Sequence, residues 1–164
     1  MLLAPHILVG AAVASQFQNP VLGLIFALLS HFVLDRTPHW EYSVEALKQI
    51  KTRGIKYCRP ILLRVILDII IGFAVLIFAM LISANPIDFV YLALGGFFGI
   101  LPDGLSFLLF VKEKSRGRLV SFLKIFYALH RRIHFKKEKG LPPLRIGLST
   151  QAIAILLALY FIIF

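Results

Sequence analysis

The chain has 164 residues, of which 59% are hydrophobic and 16% charged, and its mean hydropathy is +0.87. Soluble domains carry roughly 45–50% apolar and about 25% charged residues, so neither a soluble core of this length nor a disordered chain fits. The formal net charge of +10 leaves a membrane protein with cationic loops or a nucleic-acid binder, and the single Cys58 excludes a disulfide framework or a Cys-rich zinc module.

Taken in order, Leu2 to Ser15 and Pro20 to Leu34 are apolar, with Gln16-Phe17-Gln18-Asn19 between them. Asn-Pro is a turn signal and Pro20 suits the first turn of a following helix, so the two stretches predict a short helical hairpin, each arm marginal for a full span. Three later segments reach the ~20 residues needed to cross a bilayer core of about 30 Å: Ile61 to Ser83, Ile87 to Val111 and Leu144 to Phe164. The basic stretch 43–59 reads as a short interfacial helix and loop. Arg118 to Phe135 places Phe122, Phe126, Leu129 and Ile133 at helical spacing, an amphipathic helix suited to the membrane interface or to the bundle.

Charge placement decides the class. Of the 18 Lys and Arg residues, six lie in 36–59, eleven in 112–145, and the last is Arg64, while the turns at 16–19 and 84–88 hold none. Positive loops mark the cytoplasmic side. The expected protein is an all-α polytopic membrane bundle, one domain over residues 1–164, with about five membrane helices and one cytoplasmic amphipathic helix. It is expected in the plasma (inner) membrane with its N-terminus cytoplasmic and its C-terminus outside, and without a cleaved signal peptide. The basic balance is then topological, and no nucleic-acid partner is expected. Oligomeric state is not legible.

This topology places His6, His31, His39, His130 and His134, together with Asp35, Asp68 and Asp103, in the inner half of the membrane. Ionisable groups there are costly and point to function. His31 with Asp35, and His130 with His134, are i, i+4 pairs that present two ligands from one helix face. His39 follows the turn at Thr37-Pro38 and is a further candidate. Imidazole and carboxylate suit Zn, Fe, Mn or Ni, and more than four candidates leave room for two metals. Structural alternatives stand beside each. His31 and Asp35 suit mutual bonding at a helix end, and Asp68 an i, i+4 pair with Arg64. Asp103 suits a turn, His39 an aromatic belt with Trp40 and Tyr42, and His130 and His134 a solvated basic face.

Four short motifs resemble the YdjM-like integral-membrane family of metal-dependent hydrolases: Pro5-His6-Ile7-Leu8-Val9-Gly10, Ser30-His31-Phe32-Val33-Leu34-Asp35, Gly99-Ile100-Leu101-Pro102-Asp103, and His130-Arg131 with His134. A looser similarity runs to zinc-dependent phospholipase C proteins. Here Ser-His-x-x-x-Asp comes second rather than last, Ser106 or nothing replaces the family's second aspartate after Pro-Asp, and the His-Arg block lacks Thr-His-Ser.

The residues and the resemblance together imply a divalent metal, zinc foremost, held by His6, His31, Asp35, Asp103 and His134, with Asp68 or His130 orienting or acting as acid/base. Arg36, Arg64, Arg131 and Arg132 are placed to clamp an anionic head group. The expected reaction is hydrolysis of a phospholipid or related phosphoester. The alternatives are a metal or proton transporter, whose site belongs near the midplane, and a non-catalytic scaffold binding anionic lipid or a cytoplasmic partner.

Overall fold

The computed structural model describes residues 2–41, 49–83, 88–112, 118–133 and 143–164. Among them the chain is helical: α1 (Leu3–Ser15), α2 (Pro20–Arg36), α3 (Ile50–Ile82), α4 (Phe89–Lys112), α5 (Arg118–Ile133) and α6 (Leu144–Ile163). Three helices are long and apolar enough to cross a membrane: Lys56–Ile82 within α3, Phe89–Leu109 within α4, and α6. These are the three segments expected from hydropathy.

The hairpin forms where Asn-Pro predicts it. Asn19 Oδ1 accepts from the backbone N–H groups of Val21 (3.0 Å) and Leu22 (3.3 Å), and Pro20 opens α2. A Pro at the first helical position gives up an N–H that would lack a helical partner anyway.

The two arms differ in role. At about 1.5 Å per residue, α1 is only about 20 Å long, and it lies in the centre of the bundle against α2, α3, α4 and α6. His6, Ile7, Leu8, Gly10, Ala11, Ala12 and Ala14 are buried. Ile7, Leu8 and Ala11 join Leu76, Leu92, Ala158 and Ile162 in the main core. By contrast, α2 exposes Val21, Leu22, Ile25, Phe26, Leu29 and Val33, an apolar stripe for lipid rather than for protein.

Two expectations change. Residues 50–53 are a short helical piece set off from the rest of α3 by a kink at Gly54, whose φ of +78° favours glycine, and residues 55–59 already belong to the long helix; residues 42–48 of that stretch lie outside the described residues. On α5 the packed face is Val120, Leu123 and His130, whereas Phe122 is 55% exposed and Ile125 73% exposed. Of the expected stripe, Phe122 faces the surface while Phe126 and Ile133 are half-buried, Phe126 beside Phe32 with ring centroids 6.3 Å apart; the Leu129 side chain lies outside the described residues. His130 lies on the packed side.

What positions the site is the crossing of α1 on α4. Gly10, Gly95 and Gly99 let the two backbones touch: a Cβ on Gly10 would lie 2.5 Å from the Gly95 carbonyl oxygen, and one on Gly99 would strike the His6 carbonyl. Small residues permit such approach where helices have no hydrophobic drive to associate. Gly99→Leu should destabilise the protein by about 1–3 kcal/mol through overpacking, seen as a lower melting temperature in detergent. An unchanged melting temperature would show that the crossing is loose.

Candidate metal centre

Four helices deliver one cluster. His31 and Asp35 come from the last two turns of α2, Asp103 from the middle of α4, His130 from α5 and His6 from α1. His6 and His31 are fully buried, Asp35 is 1% exposed and His130 6%, while the Asp103 side chain is 35% exposed. One ligand atom from each of His31, Asp35, Asp103 and His130 lies within 4.8 Å of the other three, a buried group that can hold a metal ion.

The distances fit coordination. His31 Nε2 and His130 Nε2 are 3.2 Å apart. Asp35 Oδ2 is 3.1 Å from the first and 2.9 Å from the second. Asp103 Oδ1 is 3.9 and 3.8 Å from the same two nitrogens. Ligands on bonds of about 2.1 Å stand roughly 3.4 Å apart at a tetrahedral ion.

The outer hydrogen bonds fix which ring nitrogens face inward. His31 Nδ1–H donates to the Gly99 carbonyl at 2.8 Å. Ser106 Oγ–H donates to the Pro102 carbonyl at 3.0 Å, so the same oxygen accepts from His130 Nδ1–H, also at 3.0 Å. With the Nδ1 protons committed outward, both Nε2 atoms of the neutral rings present lone pairs to each other and to a carboxylate oxygen. Three acceptors without a proton between them repel, and each proton added there makes a buried ring cationic. A single cation satisfies all of them, and outward Nδ1 bonds of this kind hold metal-binding histidines in place.

Local sequence explains why the groups point this way. Pro102 lacks an N–H, so the Phe98 carbonyl loses its usual i+4 donor within α4. The next carbonyl, Gly99, is the one His31 takes. Ser106 lies one turn beyond Pro102, which aligns its hydroxyl with the Pro102 carbonyl. On the far side His6 stacks on His31, with centroids 4.2 Å apart, and its Nε2 is 3.2 Å from Asp35 Oδ1. Neither His6 ring nitrogen makes a hydrogen bond among the described residues. Asp35 thus turns one oxygen to His31 and His130 and the other to His6.

Not every candidate arrives. Asp68 is on α3, which touches neither α2 nor α5 among the described residues. Its oxygens accept from the N–H groups of Leu3 (2.6 Å) and Ala4 (3.2 Å). It therefore caps the start of α1 instead of orienting the cluster, because unpaired N–H groups at a helix N-terminus draw a carboxylate.

His39 is buried, with Nδ1 on the Thr37 carbonyl at 2.8 Å and Nε2 3.5 Å from Glu41. Its segment is held on α6, where Thr150 Oγ1–H donates to the Pro38 carbonyl at 2.6 Å. His134 lies outside the described residues. His130, expected as an orienting residue or a general acid/base rather than as a ligand, faces the cluster directly. Arg36, Arg131 and Arg132 are exposed and adjoin Asp35 and His130 in sequence, whereas Arg64 lines a separate groove. Ser106 was read only as a missing aspartate, and one turn from Pro-Asp its hydroxyl was a signal that could have been used.

Comparison with known proteins found no matching family model, no matching curated protein and no matching solved structure.

Two substitutions separate these roles. Ser106→Ala should weaken metal affinity about 10–100-fold by freeing the His130 ring, measured by titration of the apo protein at unchanged helicity. Asp68→Ala should cost about 1 kcal/mol of stability, as loss of a helix cap does, with metal content unchanged. Metal loss in folded Asp68→Ala protein would contradict its placement as a cap.

Proposed function

We propose that the protein is a membrane-embedded, metal-dependent hydrolase that cleaves a phospholipid or related phosphoester at the cytoplasmic face of the plasma (inner) membrane. The observation that carries the reading is the convergence of the His31 and His130 Nε2 lone pairs on Asp35 Oδ2, with Asp103 completing the donor set. Two imidazoles and two carboxylates, without thiolate, favour zinc in an open site over a closed structural one. The motif resemblance to the YdjM-like family points the same way.

A divalent cation supplies Lewis acidity, making water a nucleophile near neutral pH and polarising the phosphoryl group. The chain's own part is to hold and orient. His31, Asp35 and His130 form the buried wall, and His6 steadies the second Asp35 oxygen. Asp103 is the partly exposed member, and beside it Gly104 is exposed with open space where a Cβ would stand. Water and substrate reach the cluster from this side. Arg36, Arg131 and Arg132 lie at the same end, where guanidinium groups match a phosphate in geometry and charge. The cytoplasmic orientation follows from the concentration of Lys and Arg in 36–59 and 112–145.

Detergent-purified protein should carry zinc, and the His31→Ala, Asp103→Ala double variant should carry none by elemental analysis. Wild-type protein should hydrolyse members of a phospholipid and phosphoester panel in mixed micelles, losing activity to chelator and regaining it with zinc. Metal retention by the double variant, with each single variant fully active, would remove the reading. Bound zinc without turnover on any phosphoester would remove the hydrolase and leave the metal site.

A further inference from the structure

Away from the cluster, a groove of about 430 Å³ opens between the start of α1, the segment after α2 and the cytoplasmic part of α3, lined by Leu2, Trp40, Arg64, Leu67, Asp68 and Ile71. None of these belongs to the metal group. Leu67 is 57% exposed and Ile71 48% exposed, so the apolar wall faces the surroundings of the bundle, which for a membrane-crossing helix is lipid.

Arg64 is the unusual member. It lies inside the candidate span Lys56–Ile82, three residues past Ile61, where the apolar run begins, or about 4.5 Å along the helix at 1.5 Å per residue. A charge at such a depth needs a partner or a route to the interface. Spacing offers Asp68, four residues on, as an i, i+4 partner. Asp68, however, is turned toward α1, with Oδ2 on Leu3 N–H at 2.6 Å and Oδ1 on Ala4 N–H at 3.2 Å, and Arg64 makes no ion pair among the described residues.

Neighbouring polar groups of the rim are also engaged within the protein. Leu2 N–H donates to Gln151 Oε1 at 3.3 Å, and the Trp40 carbonyl accepts from Gln151 Nε2–H at 2.9 Å. The rim is thereby tied to α6, and among the described residues the Arg64 guanidinium makes no ion pair that would keep it from an anion outside the chain.

We infer that this groove binds an anionic phospholipid. Arg64 holds the phosphate, the Trp40 indole sits at the head-group level where amphipathic rings concentrate, and an acyl chain runs along Leu67 and Ile71. The site is distinct from the proposed hydrolytic centre and needs neither metal nor turnover, so failure of either leaves the other standing.

The test is native mass spectrometry of the full chain released from nanodiscs containing equal amounts of phosphatidylglycerol and phosphatidylcholine. Wild-type protein should retain phosphatidylglycerol in preference. Arg64→Gln should lower that retention roughly five-fold, the factor expected for one basic group at an anionic surface, while Arg64→Lys keeps most of it. Ile71→Trp, which fills the groove with Arg64 in place, should also lower it and carries the test if Arg64→Gln fails to fold. Arg118→Gln, an exposed charge on α5, should change nothing. Equal retention of the two lipids by wild-type protein, or undiminished phosphatidylglycerol on folded Arg64→Gln and Ile71→Trp proteins, would overturn the inference.

Discussion

The structure is organised around a carboxylate kept almost wholly out of solvent. Asp35 is 1% exposed, and a lone charge in that position would cost far more than a folded protein has to spare. Three imidazoles surround it, from α1, α2 and α5, and Asp103 approaches from α4. Removing any one leaves a buried polar group unmet, so α1, α2 and α5 are tied to one another through a single side chain, and α4 joins them where Asp103 approaches His31 and His130. Among those four, α1 and α2 fall short of the membrane-crossing length, and α5 is amphipathic. The polar cluster accordingly does for the short elements what hydrophobic length does for α3, α4 and α6.

Backbone design makes that convergence feasible. The glycine contacts between α1 and α4 bring the His6 carbonyl against Gly99, and the Gly99 carbonyl in turn receives His31 Nδ1–H. The Pro102 carbonyl accepts from Ser106 Oγ–H one turn on, and Ser106 fixes the His130 ring. The same short stretch of α4 therefore serves as packing surface, as orienting partner for two histidines and as the source of Asp103. Its Pro-Asp-Gly sequence is a weak turn signal read alone; here it lies inside a continuous helix that supplies Asp103 and the Pro102 carbonyl to the site.

Much of this was legible from the residues. Apolar runs located the three crossing helices within a few residues, and Asn19-Pro20 located the hairpin turn. The i, i+4 spacing of His31 and Asp35 gave the one ligand pair that local geometry alone could secure. Other features depended on packing at long range. Spacing offered Asp68 to Arg64, but the free N–H groups of α1 are a stronger draw, and their arrival beside α3 is not written locally. The burial of His130 on α5 is a related case: Phe122 is greasier than His130 and is exposed, yet His130 is buried because Asp35 and Ser106 receive it. Hydrophobic periodicity cannot weigh a polar partner contributed from 95 residues away.

The central claim, that the Nε2 atoms of His31 and His130 face a shared cation, is tested most directly by X-ray absorption of the zinc-loaded protein. The account predicts a nitrogen and oxygen shell at about 2.0–2.1 Å with the scattering signature of two imidazoles and no sulfur near 2.3 Å. A shell without imidazole, a sulfur ligand from Cys58, or folded protein that takes up no zinc would contradict it.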